Sequence, residues 1–156
     1  MYQIKQKQFI STSIGNCWDF FISPLNLEKI TPTDMSFVVL TELPAKVYEG
    51  LMISYRVKPL LGISISWITE IKTVNEKKMF IDEQRKGPYR IWHHEHHFEA
   101  LENGVMMTDI VSYELPFGFL GRIAHKLFVQ KKLDNIFQFR RQQIDLIFNS
   151  ELNNTP

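Results

Sequence analysis

The sequence predicts an α+β fold in which a curved antiparallel sheet of about seven strands wraps around a long C-terminal helix, with two short helices after the first strand. Three patterns predict it. A helical period covers residues 14–30, short β-rich runs fill 34–115, and about 30 residues of helix-forming sequence follow. The breaks between the β-rich runs have the length of hairpin turns, which indicates antiparallel pairing. We expect a single domain over residues 1–149 and a frayed tail over 150–156.

The N-terminal elements carry local signals. Residues 2–10 alternate polar and apolar side chains, which predicts a strand. Ser13 suits a helix N-cap, and apolar residues then recur at helical spacing: Ile14, Cys17, Trp18, Phe21 and Ile22. Ser23 and Pro24 suit the start of a second short helix, which ends before Pro32. The later strands are expected at residues 36–42, 51–58, 63–74, 79–86, 91–101 and 105–115.

Two apolar stripes mark the C-terminal helix. The first contains Leu120, Ile123, Ala124, Leu127 and Phe128, and the second contains Leu133, Ile136, Phe137, Ile144 and Ile147. Because the stripes are out of phase, we expect a kink or two abutting helices near residues 129–132. This helix is the only element large enough to cover the apolar face of the sheet. A curved sheet around one helix encloses a space in which a ligand would lie.

The composition excludes several classes of protein. Lys and Arg number 18 and Asp and Glu number 17, and the formal charge of +1 excludes the basic surface of a general nucleic-acid binder. Cys17 is the only cysteine, so an intrachain disulfide and a cysteine-based zinc site are excluded. The N-terminus lacks the apolar segment of a signal peptide, and the apolar runs are too short for a transmembrane helix. We expect a cytoplasmic protein with no cofactor, no nucleic-acid partner and no stable membrane insertion; its oligomeric state stays open.

The most distinctive stretch, residues 87–98, holds four of the five histidines. On a strand, alternation puts His94 and His96 on one face with Trp92 and Phe98, and puts the other histidines with glutamates on the opposite face. The same alternation on the neighbouring strands predicts an interior that combines apolar side chains with a polar cluster. Its apolar members are Trp67, Phe80, Trp92, Phe98, Met107 and Tyr113, and its polar members are Asp82, Gln84, His94, His96 and Asp109.

Three interpretations of the polar cluster stay open. In the first, buried polar groups only satisfy one another, because an unpaired buried polar atom costs about 1–3 kcal/mol. In the second, they form the hydrogen-bonding end of an apolar ligand pocket. In the third, His94 and His96 bind a metal together with a carboxylate from the next strand. Of the three interpretations this one is the least favoured, and we predict that the protein has no metal site. If the protein is an enzyme, His94 or His96 oriented by Asp109 would be the general base or acid.

Basic residues are concentrated in the first part of the predicted C-terminal helix. Its residues are Arg122, His125, Lys126, Lys131 and Lys132. A solvated helix face is the simplest interpretation. The alternative is the mouth of the pocket, which attracts an anionic head group or a membrane surface, with Phe117 and Phe119 in a mobile lid.

Five short motifs lie along the chain. They are Asn26-Leu27 with Ile30-Thr31-Pro32, Trp67-x-Thr69-x-Ile71, Phe80-x-Asp82-x-Gln84, Gly87-Pro88-x-x-x-Trp92-x-His94-x-His96-x-Phe98, and Met107-x-Asp109-x-Val111-x-Tyr113-x-x-Pro116-Phe117-Gly118. Together they resemble a bacterial ligand-binding subgroup of the START-like, helix-grip superfamily, also called SRPBCC. That superfamily includes lipid-transfer, coenzyme-Q-binding and polyketide cyclase/dehydrase proteins. The resemblance covers residues 2–148 and implies a helix-grip fold with an internal cavity.

We therefore predict a protein that binds a hydrophobic or amphipathic small molecule, such as a lipid, quinone or polyketide, between sheet and helix. The apolar members of the interior would contact its body, and the polar cluster would orient its polar group. The alternative is a cyclase or dehydratase acting on an aromatic or polyketide-like substrate. A third alternative is an interaction module whose interior is fully packed with phenylalanine.

Overall fold

A computed structural model describes residues 1–58 and 62–150, which form the predicted α+β fold. Seven strands form one antiparallel sheet in the order β1-β7-β6-β5-β4-β3-β2. The strands are β1 (Tyr2–Ile10), β2 (Val38–Val39), β3 (Met52–Val57), β4 (Ile65–Asn75), β5 (Met79–Lys86), β6 (Ile91–Leu101) and β7 (Gly104–Glu114). The predicted tail falls on residues 151–156, which lie outside the described residues, and on residue 150.

Two short helical segments follow β1, as the sequence predicted. Helix α1 (Ile14–Ile22) begins where the Ser13 hydroxyl accepts a hydrogen bond of 3.2 Å from the backbone N–H of Asn16. The second segment is a series of tight 3-10 turns at Pro24–Asn26, Glu28–Ile30 and Thr33–Met35. The strand predicted after them is shorter than expected, because only Val38 and Val39 pair with β3.

The C-terminal helix is interrupted, but earlier than the sequence indicated. Helix α2 (Gly118–Ala124) continues through a π-helical turn at His125–Val129 into α3 (Gln130–Phe148). A π turn contains one residue more than an α turn and therefore rotates α2 relative to α3. As a result Gly121, His125 and Val129 face the body of the protein.

The prediction for the first apolar stripe is wrong in its orientation. Leu120, Ile123, Leu127 and Phe128 are exposed, whereas the second stripe is buried at Leu133, Phe137 and Ile144. The physical reason is the π turn, which gives the contact with the body to a glycine, a histidine and a valine. One cluster of the hydrophobic core lies far from the start of the C-terminal helix, where α1 packs against the sheet. It contains Ile10, Cys17, Trp18, Phe98, Met107 and Ile144.

Among the described residues, no helix combines the length and the apolar character needed to cross a bilayer.

Candidate functional site

A cavity of about 440 Å³ lies between the sheet and the C-terminal helix. Its wall is mainly apolar and comes from the end of α1, from the 3-10 turns, from β3 to β6, and from α2 and α3; examples are Phe21, Ile30, Ile53, Tyr55, Trp67 and Leu133. This volume is in the range of small-molecule sites. The interior is therefore not filled by phenylalanine, which removes the fully packed interaction module from the predicted alternatives.

The cavity opens to the surface at helix α2. Phe117 and Ala124 line the cavity, and both are exposed to solvent. Lys132 also lines it, and its Nζ lies 2.7 Å from Oδ2 of Asp34 in the third 3-10 turn. This ion pair joins α3 to the opposite wall. The start of the C-terminal helix thus forms one side of the cavity mouth.

The opposite, deep part of the cavity is polar because of the strand register. In β5 and β6, Asp82 pairs with His94, and in β6 and β7, His96 pairs with Asp109. Residues that are paired across antiparallel strands share a face, and His94 and His96 share it by alternation. Four ionisable side chains from three strands therefore meet; with Arg140 of α3 we call them the ionic cluster.

His96 lies between the two carboxylates of the ionic cluster. Its Nε2 is 3.0 Å from Asp82 Oδ2 and its Nδ1 is 2.8 Å from Asp109 Oδ1. His94 Nε2 is 3.3 Å from Asp109 Oδ1, and its Nδ1 is 3.6 Å from Asp82 Oδ2. The Phe80 ring stacks on His96 at a centroid distance of 4.1 Å, which favours a positive imidazole.

The two histidines differ in the direction of their pKa shifts. Burial and the neighbouring charge of His96 hold the pKa of His94 below its ordinary value. Burial also acts to lower the pKa of His96, but Asp109 and Asp82 outweigh it, so this pKa lies above the ordinary value. The two pKa directions therefore separate the histidines: His94 favours the neutral form, and His96 favours the imidazolium.

Both carboxylates are ionised. Burial acts to raise the pKa of Asp82, but the hydrogen bond from His96 and the nearby positive charges bring it below the usual range. Burial opposes ionisation of Asp109 as well, and His96 followed by the contact with His94 lowers its pKa well below the usual range. The two negative charges match the positive charges of His96 and Arg140.

Arg140 is the site residue that the sequence analysis missed. It follows Phe137 by three residues and precedes Ile144 by four, so it lies on the buried stripe of α3. Its guanidinium lies 5.1 Å from the centroid of the Phe137 ring, and Arg140 lines the cavity. Burial lowers the pKa of Arg140 while Asp109 and Asp82 oppose this effect, but an arginine remains charged. The sequence signal that could have identified Arg140 is its helical spacing from Phe137 and Ile144, which puts it on the buried face of α3.

The ionic cluster has unused hydrogen-bonding capacity. Four buried atoms have no aligned hydrogen bond within the described part of the chain: His94 Nε2, His96 Nδ1, Asp109 Oδ1 and Arg140 Nε. The contacts of Asp109 with the two histidines are close in distance but poorly aligned, so they act mainly through charge. Because the first three of these atoms face one another, with both nitrogens within 3.3 Å of Asp109 Oδ1, Arg140 Nε is the donor left for a ligand, and an unsatisfied buried group of this kind costs about 1–3 kcal/mol.

The predicted site residues divide into two groups. The cavity is lined by Trp67, Phe80, Asp82, Trp92, His94 and His96. Gln84, Phe98, Met107, Asp109 and Tyr113 do not line it. Asp109 nevertheless belongs to the ionic cluster, because it lies behind the two histidines.

The other four residues outside the cavity wall have structural contacts of their own. The Gln84 amide donates to the backbone carbonyl of Tyr89 at 2.6 Å and fixes the turn before β6. Phe98 and Met107 belong to the core beside α1. The Tyr113 hydroxyl lies 2.8 Å from Nε2 of His125. His125 is buried by this contact, so the prediction that it lies on a solvated basic face is wrong; the π turn places it inward.

A metal is a poor fit to this arrangement. Donor atoms of Asp82, His94 and His96 lie within 4.8 Å of one another, which is close enough for a shared ligand sphere. However, a metal ligand must be an unprotonated imidazole, so a metal at His96 would compete with the proton that Asp82 and Asp109 favour there. The cluster also contains the positive charge of Arg140, so a divalent ion would add charge to a set that is already balanced.

Comparison with known proteins supports the fold alone. No family model and no curated protein matches the chain. Among solved structures, a protein from Chromobacterium violaceum aligns over 95% of this chain and 98% of its own, with 13% identity and a TM-score of 0.72. A START superfamily protein from Mycobacterium smegmatis aligns over 94% and 99%, with 9% identity and a TM-score of 0.67. Ara h 8.0201 aligns over 92% and 97%, with 11% identity and a TM-score of 0.59. The chain has the START-like, helix-grip fold that its motifs indicated.

Proposed function

We propose that the protein binds an amphipathic small molecule whose apolar body fills the cavity and whose polar end contacts the ionic cluster. One observation carries the proposal: an apolar cavity of about 440 Å³ ends at the polar side chains of Asp82, His94, His96 and Arg140, and Nε of Arg140 has no aligned partner within the described residues. Few and localised polar groups in an apolar wall are typical of sites that orient one ligand. The resemblance to proteins that bind lipids, quinones and polyketides is consistent with such a ligand.

The charge of the ionic cluster favours a particular polar end. Arg140 Nε is a donor without an acceptor, and Arg140 lines the cavity. His94 is neutral and lines the cavity beside it. Both groups suit a carboxylate, phenol or carbonyl oxygen, because Arg donates to oxygen acceptors and a neutral imidazole exchanges a hydrogen bond with a hydroxyl. A ligand cation would meet Arg140 and His96 and is disfavoured.

Native mass spectrometry of freshly purified protein is the first test, because a tightly held ligand would be carried through purification. The affinity test then uses three amphiphiles with the same alkyl chain and a carboxylate, a hydroxyl or a trimethylammonium head. Trp67 and Trp92 line the cavity, so their fluorescence reports occupancy, while Trp18 is in the core. We expect the carboxylate to bind most tightly and the ammonium least.

The variant Arg140→Met tests the role of the guanidinium. It should weaken carboxylate binding by about tenfold or more, since a charge-assisted hydrogen bond contributes roughly 1.5–3 kcal/mol, and leave alcohol binding nearly unchanged. Arg141→Met is the matched control, because the neighbouring arginine is exposed and donates to the Lys7 carbonyl. Equal losses in both variants, or equal binding of all three amphiphiles by the wild-type protein, would contradict the proposal.

Catalysis is the second candidate function, and the difference between the two histidines supports it. A neutral His94 in contact with the cavity and a positive His96 beside it supply a base and an acid within one site. A cyclase or dehydratase needs these two groups to remove a proton beside a carbonyl and to protonate a leaving hydroxyl. If the ligand found by mass spectrometry loses water on incubation, and His94→Gln abolishes the loss, the protein is an enzyme; an unchanged ligand favours a carrier.

A further inference from the structure

We infer that the start of the C-terminal helix is a docking surface for an anionic lipid bilayer, placed at the cavity mouth. The surface, which we call the outer patch, consists of Phe117, Phe119, Leu120, Ile123, Leu127 and Phe128. These six side chains are between 42% and 81% exposed. The inference concerns the outside of the protein and does not depend on which ligand the cavity holds.

The fold itself does not account for the outer patch. Between residues 117 and 129, only Gly121, His125 and Val129 are buried against the body. A Cβ at Gly121 would come within 2.2 Å of the Pro116 carbonyl oxygen, so the helix rests on its smallest residue. The contact ridge is thus narrow, and the most apolar residues of the segment point away from it. Contiguous exposed apolar surface of this kind marks an interaction site.

The charge around the outer patch indicates the partner. Residues 116–133 contain Arg122, Lys126, Lys131 and Lys132 and no Asp or Glu. Lys132 pairs with Asp34, whereas the other three form no ion pair within the described residues. The Arg122 guanidinium lies 5.8 Å from the centroid of the Phe119 ring, so a cation and an aromatic ring are presented together.

An anionic bilayer matches both properties. Apolar side chains of an interfacial helix enter the boundary between head groups and acyl chains, and flanking Lys and Arg contact anionic head groups. A second copy of this chain fits less well, because two such patches would bring positive charges together at the rim without an acidic partner. The protein has a net charge of only +1, so the attraction comes from this local concentration of charge.

The outer patch adjoins the cavity mouth, so docking on a bilayer would bring the cavity to the membrane surface. Phe117 belongs to the outer patch and also lines the cavity. Its backbone is left-handed, with φ of 66°, which is strained for an aromatic residue. Because Phe117 belongs to both surfaces, a bilayer in contact with the outer patch would also contact the cavity opening. An apolar ligand would then pass between cavity and membrane without crossing water.

Vesicle flotation tests the inference with the whole 156-residue chain. One vesicle is phosphatidylcholine alone, and the other contains about one third phosphatidylglycerol. We expect the wild-type protein to float with the anionic vesicles and not with the neutral ones. The bound fraction should fall as salt is added, because salt screens exposed charges.

Two variants separate the apolar and the electrostatic contributions. Phe119→Ser combined with Leu127→Ser should reduce the partition coefficient by about tenfold or more, because two apolar side chains that would enter the interface are lost. Lys126→Glu should reduce binding to anionic vesicles by about fivefold or more. Both side chains changed in the first variant are exposed and outside the cavity wall, so thermal unfolding should be unchanged.

The matched controls lie elsewhere on the surface. Leu146→Ser removes an equally exposed leucine about 30 Å along the helix from Leu127. Lys78→Glu makes the same change in net charge at the other end of the sheet, in the turn between β4 and β5. Neither should change flotation.

Three results would overturn the inference. The first is wild-type protein that floats with neither vesicle, and the second is equal flotation of the patch variants and the controls. The third is a dimer in sedimentation experiments that the Phe119→Ser and Leu127→Ser changes dissociate, because a second copy would then cover the patch.

Discussion

The two faces of strand β6 carry the same chemistry in different surroundings. On the inner face, Asp109 contacts His96 at 2.8 Å and His94 at 3.3 Å. On the outer face, Glu95 contacts His97 at 2.8 Å and His93 at 3.6 Å. We call these groups the inner and outer triads. Each has one carboxylate between two imidazoles at closely similar distances.

The triads differ in exposure. The inner side chains are 6–10% exposed and the outer ones 27–39%. Charges interact more strongly where water is excluded, and a buried charge without compensation is costly. The inner triad therefore contains one histidine whose pKa is lowered and one whose pKa is raised, and Asp82 and Arg140 add further charges beside it. The comparison shows that burial, rather than the residue types, turns a carboxylate and two histidines into a candidate site.

The largest expected effect comes from removing the inner carboxylate. Asp109→Asn leaves His96 and Arg140 without a full counter-charge and should lower the free energy of unfolding by about 3–5 kcal/mol. The matched change Glu95→Gln should cost less than about 1 kcal/mol, because exposed ion pairs contribute little. Urea denaturation measures both variants.

The relation of stability to affinity sharpens this test. If the inner triad only satisfies its own members, Asp109→Asn should change stability and leave the tryptophan-detected ligand affinity of the folded fraction unchanged. A larger effect on affinity than on stability would assign the triad to the ligand. Equal costs for Asp109→Asn and Glu95→Gln would contradict the comparison itself.

Side-chain alternation was sufficient to predict most of this arrangement from the sequence. A strand has only two faces, so the position of Trp92 decided the face of His94 and His96, and hairpin pairing brought Asp82 and Asp109 to the same place. The same rule could not separate the cavity wall from the core. Phe98 shares the inner face but packs beside α1, because its place along the strand, rather than its face, decides its neighbours.

The C-terminal helix was harder to predict, for a physical reason. A π turn adds one residue and changes every orientation beyond it, and local propensity gives no sign of it. The outward orientation of Leu127 and the burial of His125 both follow from that turn. Arg140 was missed because a cation on a buried stripe is unfavourable until the two carboxylates of the sheet are known to lie near it.

The second expected effect is a dependence of stability on pH that comes from the inner triad. The folded-state pKa of His94 is below the unfolded value of about 6.5, so stability rises as pH increases toward that value. The folded-state pKa of His96 is above it, so stability falls as pH increases from about 6.5 through that higher pKa. Stability should therefore be greatest near pH 6.5, and each limb should reach a slope of up to about 1.4 kcal/mol per pH unit.

The two limbs can be assigned by substitution. His96→Gln should remove the fall on the alkaline side, and His94→Gln should remove the rise on the acidic side. A further loss of stability below about pH 4 comes from protonation of Asp82 and Asp109, whose folded-state pKa values are lowered. Urea unfolding across this pH range measures the profile. A flat profile around pH 6.5 in the wild-type protein would mean that the two histidines do not differ.

The smallest expected effect concerns the outer triad. His93 Nδ1 lies 2.9 Å from Glu83 Oε1, and about a third of each contributing histidine on this face is exposed. His93→Gln should therefore change the free energy of unfolding by less than about 0.5 kcal/mol and should keep both limbs of the pH profile. A cost above about 1 kcal/mol would require the outer face to be shielded from water in solution, as by another protein chain. Both triads would then be buried, the inner one by the C-terminal helix and the outer one by a partner chain, and burial would no longer distinguish them.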